Sequence, residues 1–258
     1  MFAGLLLVGS SCQKVIDLHL GNVSGLLVIE ANVTNAPGTQ TILLSQNVAF
    51  TSTNTYPPVT GASVAITDSL GNTYPFMEGP AGTYTNNVLV GKPGSSYSMT
   101  VATGGKTYQA TSIMPHAVIL DSLTSDNDVF SSGNNKKQIL VHYQDPADVV
   151  NYYRFAMFVN RVQVKSVFAY NDDFIDGRYV NLSLPENDID IYPGDTVTVE
   201  MQCIDKPVYT YWFTLMQQQQ NGPGGGVTPS NPPTNITPAT LGYFSAHTTQ
   251  RKTIVVKN

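Results

Sequence analysis

Short runs in which apolar and polar residues alternate, each closed by glycine, proline, asparagine or aspartate, are what most limits the folds open to this chain. Ala62-Ser63-Val64-Ala65-Ile66-Thr67 puts Val64 and Ile66 on one side of an extended backbone, and the turn residues Asp68-Ser69-Leu70-Gly71-Asn72 follow at once. Similar runs occur at Leu26 to Val33, Thr41 to Ser45, Thr73 to Met77, Thr83 to Thr85, Ser96 to Ala102 and Lys106 to Thr111. The last two predict a hairpin around Thr103-Gly104-Gly105. Roughly seven strands at this spacing predict a sandwich of about 90 residues. Charged residues are only 12% of the chain, while Thr, Ser, Gly, Asn, Tyr and Val dominate, which suits strands and turns and starves helices. The expected class is all-β.

Ile113-Met114-Pro115-His116 interrupts the alternation, which places a boundary near Pro115 and gives one sandwich over 23–115 and another over 116–258. Strands are expected at Val118 to Leu123, Lys137 to Gln144, Asn151 to Asn160, Tyr179 to Leu184 and Thr196 to Ile204. Two further strands close the chain, Leu241 to His247 and Lys252 to Val256. This second half resembles a fibronectin-III-like sandwich with one insertion. Val208, Tyr211, Trp212, Leu215 and Met216 repeat at three- and four-residue spacing, so a single helix is predicted over about 208–219. A Gly/Pro-rich loop, 221–238, follows it.

At the other end, Phe2 to Val8 is apolar and Gly9-Ser10-Ser11 precedes Cys12, a pattern that resembles a bacterial lipoprotein signal. The resemblance implies that residues 1–11 are a signal remnant, that Cys12 carries the lipid and that 12–22 form a linker outside the cytoplasm. Cys203 is the second of two cysteines, so no disulfide framework is expected once Cys12 is lipidated. Alternation puts Cys203 on the side of Val199 and Met201, as a small buried hydrophobe. Net charge is −5, with no basic cluster beyond Lys136-Lys137. That argues against nucleic acid as a partner and leaves any membrane attachment to the lipid.

Little in the chain signals catalysis. His19, His116, His142 and His247 are scattered, none in a metal-binding or nucleophile-pairing context, and each reads as an ordinary polar residue. No enzyme activity and no cofactor are expected. Asn171-Asp172-Asp173-Phe174-Ile175-Asp176-Gly177 offers Asp172, Asp173 and Asp176 as hard oxygen ligands for Ca²⁺, but it lacks the spacing of a dedicated calcium loop, and a solvated turn is the preferred reading. Tyr209, Tyr211, Tyr243 and Phe244 flank the Gly/Pro loop. Exposed, these rings would form a partner or ligand surface; at helical spacing, rings also serve as core, the expected role of Trp212.

Two resemblances gather these readings. Pro58-Val59-Thr60-Gly61-Ala62-Ser63-Val64-Ala65-Ile66-Thr67-Asp68, with Gly71-Asn72-Thr73-Tyr74, Gly82-Thr83-Tyr84 and Gly94-Ser95-Ser96-Tyr97, resembles the transthyretin-like, carboxypeptidase-regulatory sandwich, an accessory fold without chemistry of its own. Over nearly the full chain, Cys12 to Asp17, Gly61 to Asp68, Tyr192-Pro193-Gly194-Asp195, Tyr209-Thr210-Tyr211-Trp212, Asn231 to Ile236 and Leu241 to Ala246 resemble domain-of-unknown-function family 4249. That family implies an outer-membrane lipoprotein of the Bacteroidota type, commonly encoded beside a TonB-dependent receptor. The expectation is therefore a lipid-anchored accessory protein, facing the cell exterior beside such a transporter and capturing or presenting a ligand. An adhesin or envelope-structural role is the alternative. Asp68-Ser69-Leu70, Asp121-Ser122-Leu123 and Asp195-Thr196-Val197 also resemble that group's O-glycosylation signal.

Overall fold

A computed structural model describes residues 24–49, 55–128, 135–220 and 231–258. Cys12, the signal remnant and the linker lie outside them, as do His19 and residues 221–230 of the Gly/Pro loop. The first part of the chain forms β1 (Leu27–Thr34), β2 (Gln40–Gln46), β3 (Ser63–Asp68), β4 (Thr73–Glu78), β5 (Thr83–Asn86), β6 (Ser96–Thr103) and β7 (Lys106–Ile113). Then come β8 (Leu120–Asn127), β9 (Lys137–Gln144), β10 (Tyr152–Val159), β11 (Val162–Gln163), β12 (Phe168–Asn171), β13 (Tyr179–Leu184) and β14 (Thr196–Cys203). Helix α1 (Lys206–Gln220), β15 (Ile236–Thr237) and the long β16 (Leu241–Val255) complete the chain. The all-β class with one short helix is therefore what the molecule adopts, in sheets that do not close into a barrel.

In the first sandwich, β1, β2 and β5 pair in sequence and face β3, β6 and β7, while β4 pairs with both β5 and β3 and so joins the two layers. Ile29, Ala31, Val33, Ile42, Leu44, Ile66, Met99 and Val101 fill the space between. The second sandwich sets β10 and β14 against a three-stranded sheet ordered β13-β9-β8. Its core is Ile139, Val141, Tyr143, Tyr153, Phe155, Val197, Val199, Met201 and Cys203. Alternation was enough to place Cys203: the thiol accepts the Val118 N–H at 3.3 Å, and burial pushes its pKa up, which leaves it protonated and inert.

The end of the chain departs from the sequence reading in an instructive way. Two terminal strands were expected, separated by the polar residues Thr248 to Arg251, but β16 runs unbroken for 15 residues. At about 3.3 Å per residue it spans about 50 Å. Its first half pairs parallel with β1, from Val28↔Leu241 to Thr34↔His247. Its second half pairs antiparallel with β14, from Cys203↔Thr248 to Thr196↔Val255. The polar stretch that resembles a turn is a strand segment whose side chains alternate between the two faces, Gln250 binding Val118 and Leu120 on one and Arg251 binding Glu200 on the other. As a result Ile236, Phe244 and Ala246 complete the first core although they lie beyond Pro115 in the sequence. Strand β15 likewise adds to the edge of β7.

Gly242 makes the shared strand possible. Its φ is +95°, and a Cβ there would meet the carbonyl oxygen of Ile29 at 2.0 Å. Both the backbone angle and the close approach to β1 exclude a side chain. The free edge of β16 is capped by side chains: Asn235 donates to the Phe244 carbonyl at 2.7 Å and accepts its N–H at 3.0 Å, and Ser112 Oγ accepts the Ala246 N–H at 2.9 Å. Gly242→Ala is expected to lower the unfolding free energy by about 3 kcal/mol or more, with urea denaturation as the measure. Because both sandwiches share β16, tryptophan fluorescence and far-UV circular dichroism should report one transition in the wild type.

Candidate functional site

Helix α1 starts because Asp205 caps it: Asp205 Oδ1 accepts the Val208 N–H at 3.3 Å, and the Asp205 carbonyl accepts that of Tyr209 at 2.9 Å. Pro207 sits in the first turn, where its missing N–H costs nothing, so the helix begins at Lys206, two residues ahead of the predicted start. Asp205 also reaches the first sandwich. Its Oδ2 accepts Ser112 Oγ at 2.7 Å and the Ile113 N–H at 3.1 Å. Burial raises the Asp205 pKa, and these hydrogen bonds hold it down in part. The helix thus docks at the joint between the sandwiches, on the outer face of the continuous sheet.

Its aromatic side chains cover that face. Val208, Ile204 and Tyr243 form a small buried cluster, with Tyr152, Tyr209, Tyr211 and Trp212 packed around it. Tyr211 and Trp212 lie 5.0 and 5.2 Å from the Tyr243 ring, and Tyr209 stacks on Tyr152 at 4.8 Å. Of the four residues expected at a partner surface, Phe244 and Tyr243 are therefore not available. Phe244 points inward from β16 into the first core, and Tyr243 lies under the helix. Tyr209 and Tyr211 are half-buried, and each keeps part of its ring at the surface.

Beside and partly under the aromatic cover lies a set of ionisable residues that no sequence pattern announced, of which Glu30 and Arg251 stay exposed. Arg154 on β10 places its guanidinium 3.8 Å from the Trp212 ring centroid and donates to Gln202 Oε1 at 2.8 Å. Burial lowers its pKa, opposed by the charges of Tyr243, Glu200, Tyr211 and Glu30. It remains a cation, since guanidinium does not deprotonate in proteins. Glu30 is pushed up by desolvation and eased back by Arg154. Desolvation also acts to raise Glu200, but hydrogen bonds from Gln202 and Arg251 outweigh it and hold the carboxylate below its usual range; Arg251 Nε donates at 2.6 Å. A guanidinium stacked on Trp is worth about 2 kcal/mol when desolvated, so Trp212 both covers and stabilises Arg154.

Arg154 and Trp212 also line a cleft of ≈ 410 Å³, together with Gln163, Lys165, Ser166 and Val167. Its far wall is the loop after β11, which the helix C-terminus holds: Gln219 Oε1 accepts the Val167 N–H at 2.9 Å and its Nε2 donates to the Lys165 carbonyl at 2.9 Å. A cation with donors to spare, an indole face and a backbone-lined wall suit a ligand bearing an anionic group beside a flat or apolar surface. Alternation could have put Arg154 on the outer face of β10; only the docking of α1 makes that face a cleft.

The remaining candidates fall elsewhere. His142 bridges Thr124 and Asn181 on the outer face of the small sheet, and His116 is exposed. Asp172 and Asp176 converge, but Asp173 turns away to accept a hydrogen bond from Asn171, and Asp145 takes the third position. Asp145 follows β9 immediately before Pro146, with no spacing relation to the 171–177 loop that a sequence could reveal. Ser69, Ser122 and Thr196 are exposed.

His247, on β16, is the group with the sharpest consequence. It is buried, with Nδ1 at 2.9 Å from Ser245 Oγ, and its pKa is pulled down to about 4 by burial first and by Arg154 second, against Glu200 and a backbone hydrogen bond. The unfolded chain takes up this proton near pH 6.5, the native state only near pH 4. Between those values the unfolded state binds more protons, so the stability that His247 contributes above pH 6.5 is lost as pH falls to 4, about 3 kcal/mol in all. Urea unfolding between pH 7 and 4.5 should show His247→Gln losing clearly less stability on acidification than the wild type.

No curated protein matches the chain. A family model described as Domain of unknown function (DUF4249) matches residues 14–253, which takes in both sandwiches, α1 and most of β16. The chain belongs to this family.

Proposed function

We propose that the protein is a non-enzymatic, lipid-anchored outer-membrane accessory protein that captures or presents a ligand beside a TonB-dependent transporter on the cell exterior. The observation that carries the ligand-binding part is the Arg154–Trp212 cleft, a stacked guanidinium facing an opening of ≈ 410 Å³ on a scaffold braced by a shared strand. A rigid scaffold lowers the ordering cost of binding. The anchoring part rests on Cys12 behind its apolar run and small residues. The transporter is the partner that family membership suggests.

Metabolic labelling with a palmitate analogue should mark the wild type and not Cys12→Ser, and crosslinked membranes should yield the protein together with a large barrel protein. A soluble, unlabelled wild type would remove the anchor, and recovery without any barrel would remove the transporter. Trp212 is the chain's one tryptophan, so its emission reads the cleft directly. Anionic nutrients offered to the purified protein should shift that emission saturably, and Arg154→Met should abolish the shift.

The second reading, adhesin or envelope-structural protein, is favoured by one surface feature. Val149, Val150 and Phe174 are 53, 72 and 87% exposed on two loops joined by a hydrogen bond from the Asp148 N–H to Asp176 Oδ1 at 2.9 Å. Large apolar side chains exposed on neighbouring loops mark contact surfaces. Loss of surface adhesion in Val150→Ser/Phe174→Ser, with the Trp212 titration unchanged, would favour this reading over the first.

A further inference from the structure

The loops after β9 and β12 bring Asp145, Asp172 and Asp176 together, each offering an oxygen within 4.8 Å of the other two. Asp145 and Asp172 are only 1 and 5% exposed, whereas Asp176 is open to solvent. Donors from four directions fix them. Tyr153 donates its hydroxyl to Asp145 Oδ1, and the Gly177 N–H reaches Oδ2 at 3.2 Å. The Asn151 N–H reaches Asp172 Oδ2 at 2.7 Å, and that of Asp148 reaches Asp176 Oδ1 at 2.9 Å. Among the described residues no Lys or Arg pairs with any of the three, and none donates a hydrogen bond to Asp172 Oδ1 or Asp176 Oδ2. Three carboxylates this close, two of them buried, need a shared proton or a cation.

An independent group points to the cation. The Tyr143 hydroxyl has no hydrogen-bond partner although the residue is 0% exposed. Tyr143 stands two residues before Asp145, so strand geometry sends both side chains to the same face. Its ring lies 4.9 Å from that of Tyr153, whose own hydroxyl ends on Asp145, and the charges of Asp145 and Asp172 both act on it. An empty buried hydroxyl costs about 1–3 kcal/mol, which a water on a bound ion would recover. We propose that Asp145, Asp172 and Asp176 form a Ca²⁺ site that ties the two loops together, with the Tyr143 hydroxyl placed for an ion-bound water. Two Ca²⁺ ligands at about 2.4 Å each can stand up to about 4.8 Å apart, and the ion accepts irregular all-oxygen geometry.

The test is calorimetric titration of chelator-treated, full-length protein with CaCl₂ and MgCl₂, alongside thermal unfolding in Ca²⁺ and in EDTA. One Ca²⁺ per chain and a higher Tm in Ca²⁺ are expected. Asp172→Asn and the exposed Asp176→Asn should weaken binding by about tenfold or more, while Asp173→Asn, from the same loop, binds as the wild type. Circular dichroism identifies variants that fold, and Asp176→Asn decides should Asp172→Asn not fold. Absence of saturable binding, preference for Mg²⁺, or equal loss in Asp173→Asn would overturn the assignment.

Discussion

The structure hangs on one strand. Strand β16 is hydrogen-bonded to β1 along its first half and to β14 along its second, so the backbone ladder crosses from one sandwich to the other without a linker. Tandem sandwiches joined by a connecting segment would flex about it. Here any hinge motion would break ladder hydrogen bonds, and the capping of α1 by Asp205, which also binds Ser112 and the Ile113 N–H, adds a second tie on the same side. Gly242 is the position where this design is most exposed to mutation, because the strand passes too close to Ile29 for any Cβ.

The shared sheet also creates its own chemistry. Its outer face carries Arg154, Glu200, Gln202, His247 and Arg251, a charged row that would be merely solvated on an open sheet. Helix α1 covers part of it with Tyr211 and Trp212, lowering the local dielectric and strengthening each charge interaction. Burial then sorts the groups by what they can pair with. Glu200 finds Arg251 and stays ionised, His247 finds a hydroxyl and a backbone group beside a nearby cation and stays neutral, and Arg154 finds the indole face and one amide. The acidic corner beside the start of β10 is the reverse case, in which, among the described residues, like charges converge with no Lys or Arg paired to them.

Much of the fold was legible because strands advertise themselves by period. The first seven strands fall within a few residues of their alternating runs, and the apolar face of α1 from Val208 to Met216 is the one its spacing indicated. Cys203 was legible for the same reason. The functional residues were less so. Asp145 and Asp172 are 27 positions apart by their numbers, and nothing local relates them. In the sequence Phe244 groups with a candidate aromatic surface because it flanks the Gly/Pro loop, yet alternation along β16 turns it inward while Tyr243 turns out toward the helix.

What the sequence determined by itself is therefore local: strand periodicity, the apolar face of one helix and the resemblance that places the chain in its family. Tertiary structure alone decided which sandwich owns the last strand, since a polar run such as Thr248 to Arg251 reads equally as a turn or as a segment of a paired strand. It also decided that a solvated arginine becomes the floor of a cleft and that two loops pool their carboxylates. The physical reason is common to all three. Hydrogen-bond ladders and electrostatic environments depend on which partner lies opposite, and partners from distant parts of the chain leave no period in the sequence.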